Sequence, residues 1–414
     1  MIDLNKKFLI YGYGISGKSI DRYFNNKKCN YNIYDDFKKI KSKKVISKEY
    51  LFNNINDYSY FVVSPSIKID KNHLLYRYKN KILIDLDFLS LEISEQKIIG
   101  VTGTDGKSST CNYLKEILSN KYNTKIIGNF GNTLLDKKDL TNYLSKIDIL
   151  IIELSSYQLD KVKFLKLHYA LITNILSDHL EYHENIKKYI NSKFHIQNLL
   201  YINSKLYLPK NLFVKYQKLI KINKNRVFLY DDKIFFKNDL ITYFQELNLN
   251  SIKKLIHDID TNIKVKSSTI SNKLIFRNQL IYNLNNLKIY NDSKCTNLNN
   301  AIYKINLINS KKKIIILGGK FKKQLKNSKF NVSNTLVLIF GYQANSFLDH
   351  LNFINSNYYK FANLDQLIIF LKLISKINKY NYILFSPGGE SFDSYKNYID
   401  RGKHFNKLIK KVSF

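Results

Sequence analysis

The chain has no tryptophan, one methionine, three prolines and three cysteines among 414 residues, and glycine is scarce at 14. Cys29, Cys111 and Cys295 are too widely spaced, and odd in number, for a disulfide framework or a zinc cluster, so buried, incidental thiols are expected. No apolar run approaches the ~20 residues of a membrane span, which argues against membrane insertion. The opening "MIDLNKKFLIYGYG" runs straight into a strand without a cleavable signal pattern, leaving the cytoplasm as the expected compartment. Acidic residues are also few, 33 against 67 Lys and Arg, for a net charge of +34. The lysines are spread along the whole chain beside abundant Asn, Ile and Tyr, which reads as compositional drift rather than a selected basic face. No specific nucleic-acid partner is expected, and phosphate-rich small substrates account for some of the charge more directly.

What is present is a large apolar fraction, 44%, in a chain longer than one core usually fills, so two or three domains are expected. Short apolar runs recur: "KFLIYGYG", "YNIYDD", "YFVVSPS", "KIIGVTGT", "IDILIIELSS", "YALITNI", "KKIIILGG", "TLVLIFG" and "YNYILFSPGG". Each ends in small or polar residues and leads into a longer polar–apolar stretch, the look of parallel strands feeding crossover helices. The fold class is therefore α/β, and chemistry is expected at the carboxyl tips of strands. One junction is expected after "LDFLSLEISEQK" and a second within "IDTNIKVKSSTISNK"; no internal repeat is present, and 201–245 carries no recognisable chemistry.

Four groups of residues stand out at such tips. In "YGYGISGKS", Gly12, Gly14 and Gly17 have G-x-G-x-x-G spacing, with Asp35 and Asp36 ending the next strand. This suits a dinucleotide, another nucleotide, or simple packing of a helix on a sheet. In "TGTDGKSS" at 102–109, Gly103 and Gly106 free the backbone to wrap phosphate oxygens, Lys107 can neutralise β/γ charge, and the Ser108 hydroxyl can ligate Mg²⁺. Glu153 at the tip of "ILIIELSSYQL" needs a facing cation unless it caps a helix, and Asp178 and His179 follow another strand. Finally, "YNDSKCTN", "IIILGGKFKK" and "ILFSPGGESFDSYKNYIDRG" line a further α/β rim with groups able to bind anions.

In order, these motifs resemble those of the Mur ligase family: "TGTDGKSS" is similar to TGTNGKST, "ELSSYQL" to ELSSFQL, "DHLEYH" to DHMDRY, "NDSKCTN" to NDSKATN and "SPGGESFDSYKNYIDRG" to SPxxxSxDxFKNFxxRG. The last two point to the D-glutamate-adding branch. The resemblance implies three domains: a Rossmann-like 1–93 for the UDP of the substrate, a central P-loop ATPase-type parallel sheet at 94–273, and a Rossmann-like α/β domain at 274–414 for the amino acid. It implies ATP and Mg²⁺, the substrates UDP-N-acetylmuramoyl-L-alanine and D-glutamate, an acyl-phosphate intermediate and a monomer.

By the same matching, Thr102, Gly103, Thr104, Asp105, Gly106, Lys107, Ser108, Ser109, Asn250, Arg277 and Asp292 are implied to hold ATP. Gly14, Ile15, Ser16, Asp35, Asn129, Lys294, Thr296, Lys322, Ser391 and Tyr398 are implied to face the substrates or the transferred phosphate. Lys107, Glu153, His179 and Lys193 are the implied catalytic set, with Ser108, Glu153, His179 and a carbamylated Lys193 as metal ligands. The chain departs from the family in "ELNLN", where only Asn250 of HNxxN keeps its place, in "FRNQLI", which keeps Arg277 of HRxExV, and in Asp105 and Glu181. Asp105 is expected to point away from the phosphates or toward a metal or lysine. The alternatives are a ligase adding another amino acid, a folylpolyglutamate-type ligase, or a non-catalytic nucleotide-binding relative.

Overall fold

The computed structural model describes residues 2–129, 133–231, 240–265, 275–284, 286–322, 329–377 and 380–412. The expected junction at 273/274 and the centre of "GNFGN" lie outside the described residues. Two-faced burial makes the apolar runs into strands, as the class of fold required. β1 (Lys7–Tyr11), β2 (Asn30–Tyr34), β3 (Tyr60–Val63) and β4 (Ile82–Leu83) form a parallel sheet of order β2-β1-β3-β4.

A second parallel sheet contains β5 (Lys97–Thr102), β6 (Thr124–Gly128), β7 (Ile149–Glu153), β8 (Leu167–Ile172), β9 (Leu200–Pro209) and β10 (Val227–Tyr230), in the order β10-β9-β8-β5-β7-β6. Every residue of β7 is buried, which fits a central strand covered on both faces. The chain leaves β5 for β6 and β7 on one side and returns to β8 on the other. Registers Val101↔Glu153 and Thr102↔Ile172 align the tips of β5, β7 and β8 at this reversal, the place where ligands gather in open sheets.

The third sheet has the order β11-β12-β18-β13-β15-β17, built from β11 (Gln279–Leu284), β12 (Leu287–Asn291), β13 (Lys313–Gly318), β15 (Thr335–Phe340), β17 (Asn357–Phe361) and β18 (Tyr382–Gly388). Only β11 runs antiparallel to its neighbour. β14 (Phe330–Ser333) and β16 (Leu351–Ile354) form a separate parallel pair. The chain folds into two compact units, Met1–Leu176 with Glu184–Asp232 and Asn248–Ile270, and Ser177–His183 with Lys233–Leu247 and Ser271–Phe414. The first unit holds the first two sheets, and one hydrophobic cluster runs through both, from Phe8 and Phe88 to Ile152 and Leu206. All three cysteines are free and buried. Among the described residues no helix is long and apolar enough to cross a membrane.

Candidate active site

The loop after β5 is held from below before any ligand is considered. Thr102 Oγ1 donates to Leu154 O at 2.8 Å, and Thr104 N–H to Asn174 O at 2.9 Å. The Asn174 side chain clamps Asp105 twice: its Oδ1 accepts the Asp105 N–H at 2.9 Å and its Nδ2 donates to the Asp105 carbonyl at 3.0 Å. Thr173 Oγ1 donates to the same carbonyl at 2.6 Å. Gly103 adopts φ +147°, and a Cβ there would stand 1.9 Å from Thr173 Oγ1. Gly106, at φ +78°, precedes the helix Lys107–Leu118, and no side chain caps that helix. The first-turn N–H groups are thus left for an anion, as at other phosphate loops.

Lys107 Nζ folds back on its own loop, donating to the carbonyls of Gly103 at 2.8 Å and Thr104 at 2.7 Å. Ser108 is half-buried in the first helical turn and Ser109 is buried. The Asp105 carboxylate does not turn to a lysine among the described residues; its Oδ2 is buried and accepts no hydrogen bond. Lys193, on the helix Ile186–Phe194, is 2% exposed. Its Nζ donates to Gly103 O at 2.8 Å and Thr102 Oγ1 at 3.3 Å, so it braces the loop beside Lys107.

Glu153 ends β7, is 3% exposed, and has its Oε1 bonded by Asn129 Nδ2 at 3.0 Å. Its Oε2 is buried without a hydrogen-bond partner. A buried carboxylate oxygen left this way is costly unless a cation completes it, so the position suits a divalent metal. Among the described residues no group of three or more His, Cys, Asp or Glu side chains is placed to hold a metal ion. Protein ligands there would be few, as is usual for Mg²⁺ that keeps waters and phosphate oxygens.

The Asn250 amide donates to Asp231 O at 3.5 Å and accepts from Lys253 Nζ at 3.3 Å. The residue at the loop is Asn248, whose Oδ1 accepts from Thr110 Oγ1 at 3.2 Å and lies 3.0 Å from where a Gly106 Cβ would stand. Sequence reasoning missed it because the family's spacing directed attention to Asn250; helical periodicity from Thr110's buried neighbours could not have found it.

Around the first glycine loop, Asp35 is turned to the main chain. Its Oδ2 accepts the Tyr13 N–H at 2.6 Å, and its Oδ1 the N–H groups of Phe37 and Lys38, both at 2.9 Å. Burial pushes this carboxyl up, but those N–H groups and Lys38 outweigh it and hold it below the usual range. Gly14 starts the helix Ile15–Asn26 without a side-chain cap, Ile15 is 61% exposed, and Ser16 hydrogen-bonds the buried Asp85.

In the second unit, His179 has φ +54°, unusual for a non-glycine residue. Its ring lies 3.5 Å from Asp178 on one nitrogen and 3.5 Å from Glu181 on the other. Lys322 Nζ meets Asp178 at 3.2 Å and Glu390 at 3.7 Å. Burial pulls the Lys322 ammonium down, yet the two carboxylates raise it above the ordinary lysine value. Asp292 is 2% exposed and already engaged, by Lys304 Nζ at 2.6 Å, Ser386 Oγ at 3.0 Å and the Asn278 N–H at 3.2 Å. Lys294 Nζ sits 4.0 Å from the Tyr398 ring centroid, Arg277 and Thr296 are half-buried, and Ser391 is buried.

Arg401, which motif reading left without a role, is fully buried and binds Ser293 Oγ at 3.2 Å, Ser293 O at 2.8 Å and Gly389 O at 3.0 Å. It ties "NDSK" to "SPGG". Burial lowers its guanidinium to about 10.

Residues 101–275 match the Mur ligase middle domain. The chain is 30% identical over 407 residues to the UDP-N-acetylmuramoylalanine--D-glutamate ligase of Prochlorococcus marinus, covering 88% of this chain and 85% of that protein. It is 28% identical over 430 residues to the enzyme of that name from Thermosipho africanus, covering 97% and 98%. The crystal structure of a MurF ligase from Thermotoga maritima in complex with ADP superposes with a TM-score of 0.57 at 14% identity over 100% of both chains, a likeness of fold. With the phosphate loop, the buried glutamate at the next strand tip and near-full-length similarity together, the chain belongs to the Mur ligase family.

Proposed function

We propose that this chain joins D-glutamate to UDP-N-acetylmuramoyl-L-alanine with ATP, a step of peptidoglycan precursor synthesis, in the cytoplasm and as a monomer. The observation that carries the reading is the phosphate loop braced by Lys193 beside a strand tip where Glu153 has a buried carboxylate oxygen without a hydrogen-bond partner. Full-length similarity to ligases named for D-glutamate supports the choice of amino acid.

A carboxylate is a poor electrophile until one oxygen becomes a good leaving group. In the proposed reaction the substrate carboxylate oxygen attacks the γ-phosphorus of ATP, ADP leaves, and an acyl phosphate forms. The D-glutamate amine then adds to the acyl carbon, loses a proton, and inorganic phosphate departs. For this, Lys107 exchanges the carbonyls of Gly103 and Thr104 for phosphate oxygens, and the uncapped first turn of its helix supplies N–H groups to them. Ser108 and Glu153 would hold Mg²⁺, and the ion would neutralise charge on the nucleotide; the resemblance also assigns His179 a metal-ligand role. Asn129 holds the Glu153 carboxylate in place through Oε1. A carbamylated Lys193 keeps one N–H, enough for the Gly103 carbonyl, and gains an anionic group for the cation.

The first glycine loop is assigned to the UDP of the substrate, through Gly14, Ile15 and Ser16, with Asp35 shaping the loop from behind. Arg277, Asp292, Lys294, Thr296, Lys322, Ser391 and Tyr398 keep their assigned parts in nucleotide, phosphate and amino-acid binding, and the three-domain division at 93/94 and 273/274 is part of the reading. Phosphate release from ATP that requires both UDP-N-acetylmuramoyl-L-alanine and D-glutamate tests it. Release on L-lysine or diaminopimelate instead would overturn the assignment of the amino acid, and no release with any of them would favour a non-catalytic nucleotide binder.

A further inference from the structure

At the ends of β13 and β18 stands an acidic residue that the proposed reaction leaves unused. Lys320 and Glu390 exchange backbone hydrogen bonds at 2.7 and 2.8 Å, which fixes the main chain of Glu390 next to Ser391. From that anchor its carboxylate reaches to 3.7 Å from Lys322 Nζ. The same ammonium meets Asp178 at 3.2 Å. The one cation thus pairs with both anions, with Glu181 adding to the negative charge around it, and the two pairs are not equivalent. The Asp178 side chain is 10% exposed and also accepts the His179 N–H at 3.0 Å, whereas that of Glu390 is 32% exposed and its ion pair is longer than a hydrogen bond.

We propose that Glu390 is a placeholder for a carboxylate of the incoming acidic amino acid: its side chain pairs with Lys322 until the substrate's carboxylate displaces it into solvent. The proposal rests on the reading that Lys322 receives D-glutamate. Asp178, Glu390 and the nearby Glu181 already more than balance the charge of Lys322, so a further carboxylate binds at lower cost when one of them withdraws. Asp178 cannot withdraw cheaply, because it is nearly buried, holds the shorter pair with Lys322 and also accepts the His179 N–H. Glu390 can, because a partly exposed pair with loose geometry is worth little and the released carboxylate is rehydrated. The exchange makes and breaks no covalent bond; it competes with the substrate at its own counter-ion. Glu390 thereby weakens amino-acid binding without entering the chemical steps.

The test is steady-state phosphate release by the full chain with D-glutamate varied at saturating ATP and UDP-N-acetylmuramoyl-L-alanine, for the native protein, Glu390→Gln and Glu390→Ala. Both variants keep the backbone bridge to Lys320. The expected result is a KM for D-glutamate lowered about three- to five-fold in both, with kcat and the KM for ATP held within about twofold. A native enzyme active on D-glutamate whose KM is unchanged or raised in both Glu390 variants overturns the placeholder alone; a rise would mean that Glu390 binds the substrate's ammonium. A native chain that releases no phosphate on D-glutamate overturns the functional reading, and the placeholder with it.

Discussion

Replacing Gly103 by alanine separates the geometry of the phosphate loop from its charges. The added Cβ would lie 1.9 Å from Thr173 Oγ1 and 3.1 Å from both the N and O of Asn174, so something must move. Thr173 can rotate, but its hydroxyl then leaves the Asp105 carbonyl, now 2.6 Å away, at a loss of ~1 kcal/mol. The backbone at φ +147° adds ~1–3 kcal/mol for any residue with a Cβ. The total, ~2–4 kcal/mol, is smaller than the stability of most domains, so the chain should fold and relieve the strain by shifting the loop. A displacement near 1 Å at a phosphate site lowers turnover ~10²-fold. Phosphate release measures the loss, and denaturant unfolding checks that stability falls by no more than the stated range. The pair Gly103→Ala with Thr173→Ala removes the clashing oxygen and should regain ~10-fold over Gly103→Ala alone, leaving the φ contribution uncorrected. Full activity of Gly103→Ala, or no gain from the second change, would refute the steric account.

Glu153→Gln keeps the acceptor for Asn129 but removes the anion whose Oε2 has no partner, so activity should fall by at least ~10²-fold while the unfolding midpoint holds or rises; loss of both would make Glu153 structural. Lys304→Met strands Asp292 in a site where Lys304 is its only cation within 4.0 Å among the described residues, and should lower the stability of the second unit by ~3–5 kcal/mol, read from denaturant curves of that unit's tyrosine fluorescence. Asp87 is pushed by burial from 3.8 to about 6 despite three backbone N–H donors. Because the folded value lies above the unfolded one, its contribution is complete below pH 4 and is lost as pH rises through about 6, a change of ~3 kcal/mol. The stability difference between the native chain and Asp87→Asn, followed from pH 4 to 7, should trace that loss; a flat difference would place the Asp87 carboxyl in its ordinary range.

Strands buried on both faces could be read from the sequence, because an unbroken apolar run has no other soluble use. β7 and β13 are buried throughout and were evident as "ILIIE" and "KIIILG". β17 was not, since "NYYKF" is an exposed edge whose pattern is indistinguishable from a loop. β9 was hidden for a related reason: its first half, after Leu200, is solvent-exposed and only its second half enters the sheet core. The phosphate loop was evident because glycines and a lysine at fixed offsets have a local geometric meaning. The supports of that loop were not. Asn174, Thr173 and Lys193 reach it from 68 to 90 positions along the chain, and no local spacing encodes such contacts. The same limit hid Asn248 and Lys304, whose importance lies in which way a helical side chain faces.

The shortage of acid that opens the sequence finds a structural counterpart in how the remaining carboxylates are used. Asp36 accepts from Tyr11 OH at 2.8 Å and Tyr34 OH at 3.0 Å; Asp21 accepts from Tyr13 OH at 2.6 Å and also from Tyr31. Glu92 takes Tyr23 OH at 2.7 Å with Lys27, and Asp258 takes Tyr207 OH at 2.5 Å with Lys205 and Lys254. Burial first, then the bonded carboxylate, raises each of these phenols, Tyr13 and Tyr34 to about 12, so they stay protonated donors at neutral pH. A phenol can satisfy a half-buried carboxylate while adding aromatic surface to the core, which an exposed lysine cannot do. With 32 tyrosines and only 33 acids, the fold is therefore held at these points by neutral-to-anion hydrogen bonds that salt screens less than exposed ion pairs. The surplus of 34 positive charges then bears on solubility and on attraction of phosphate-bearing substrates. The phosphate loop itself draws only two of those charges, Lys107 and Lys193, into its supports; the rest of its bracing comes from carbonyls, amides and hydroxyls.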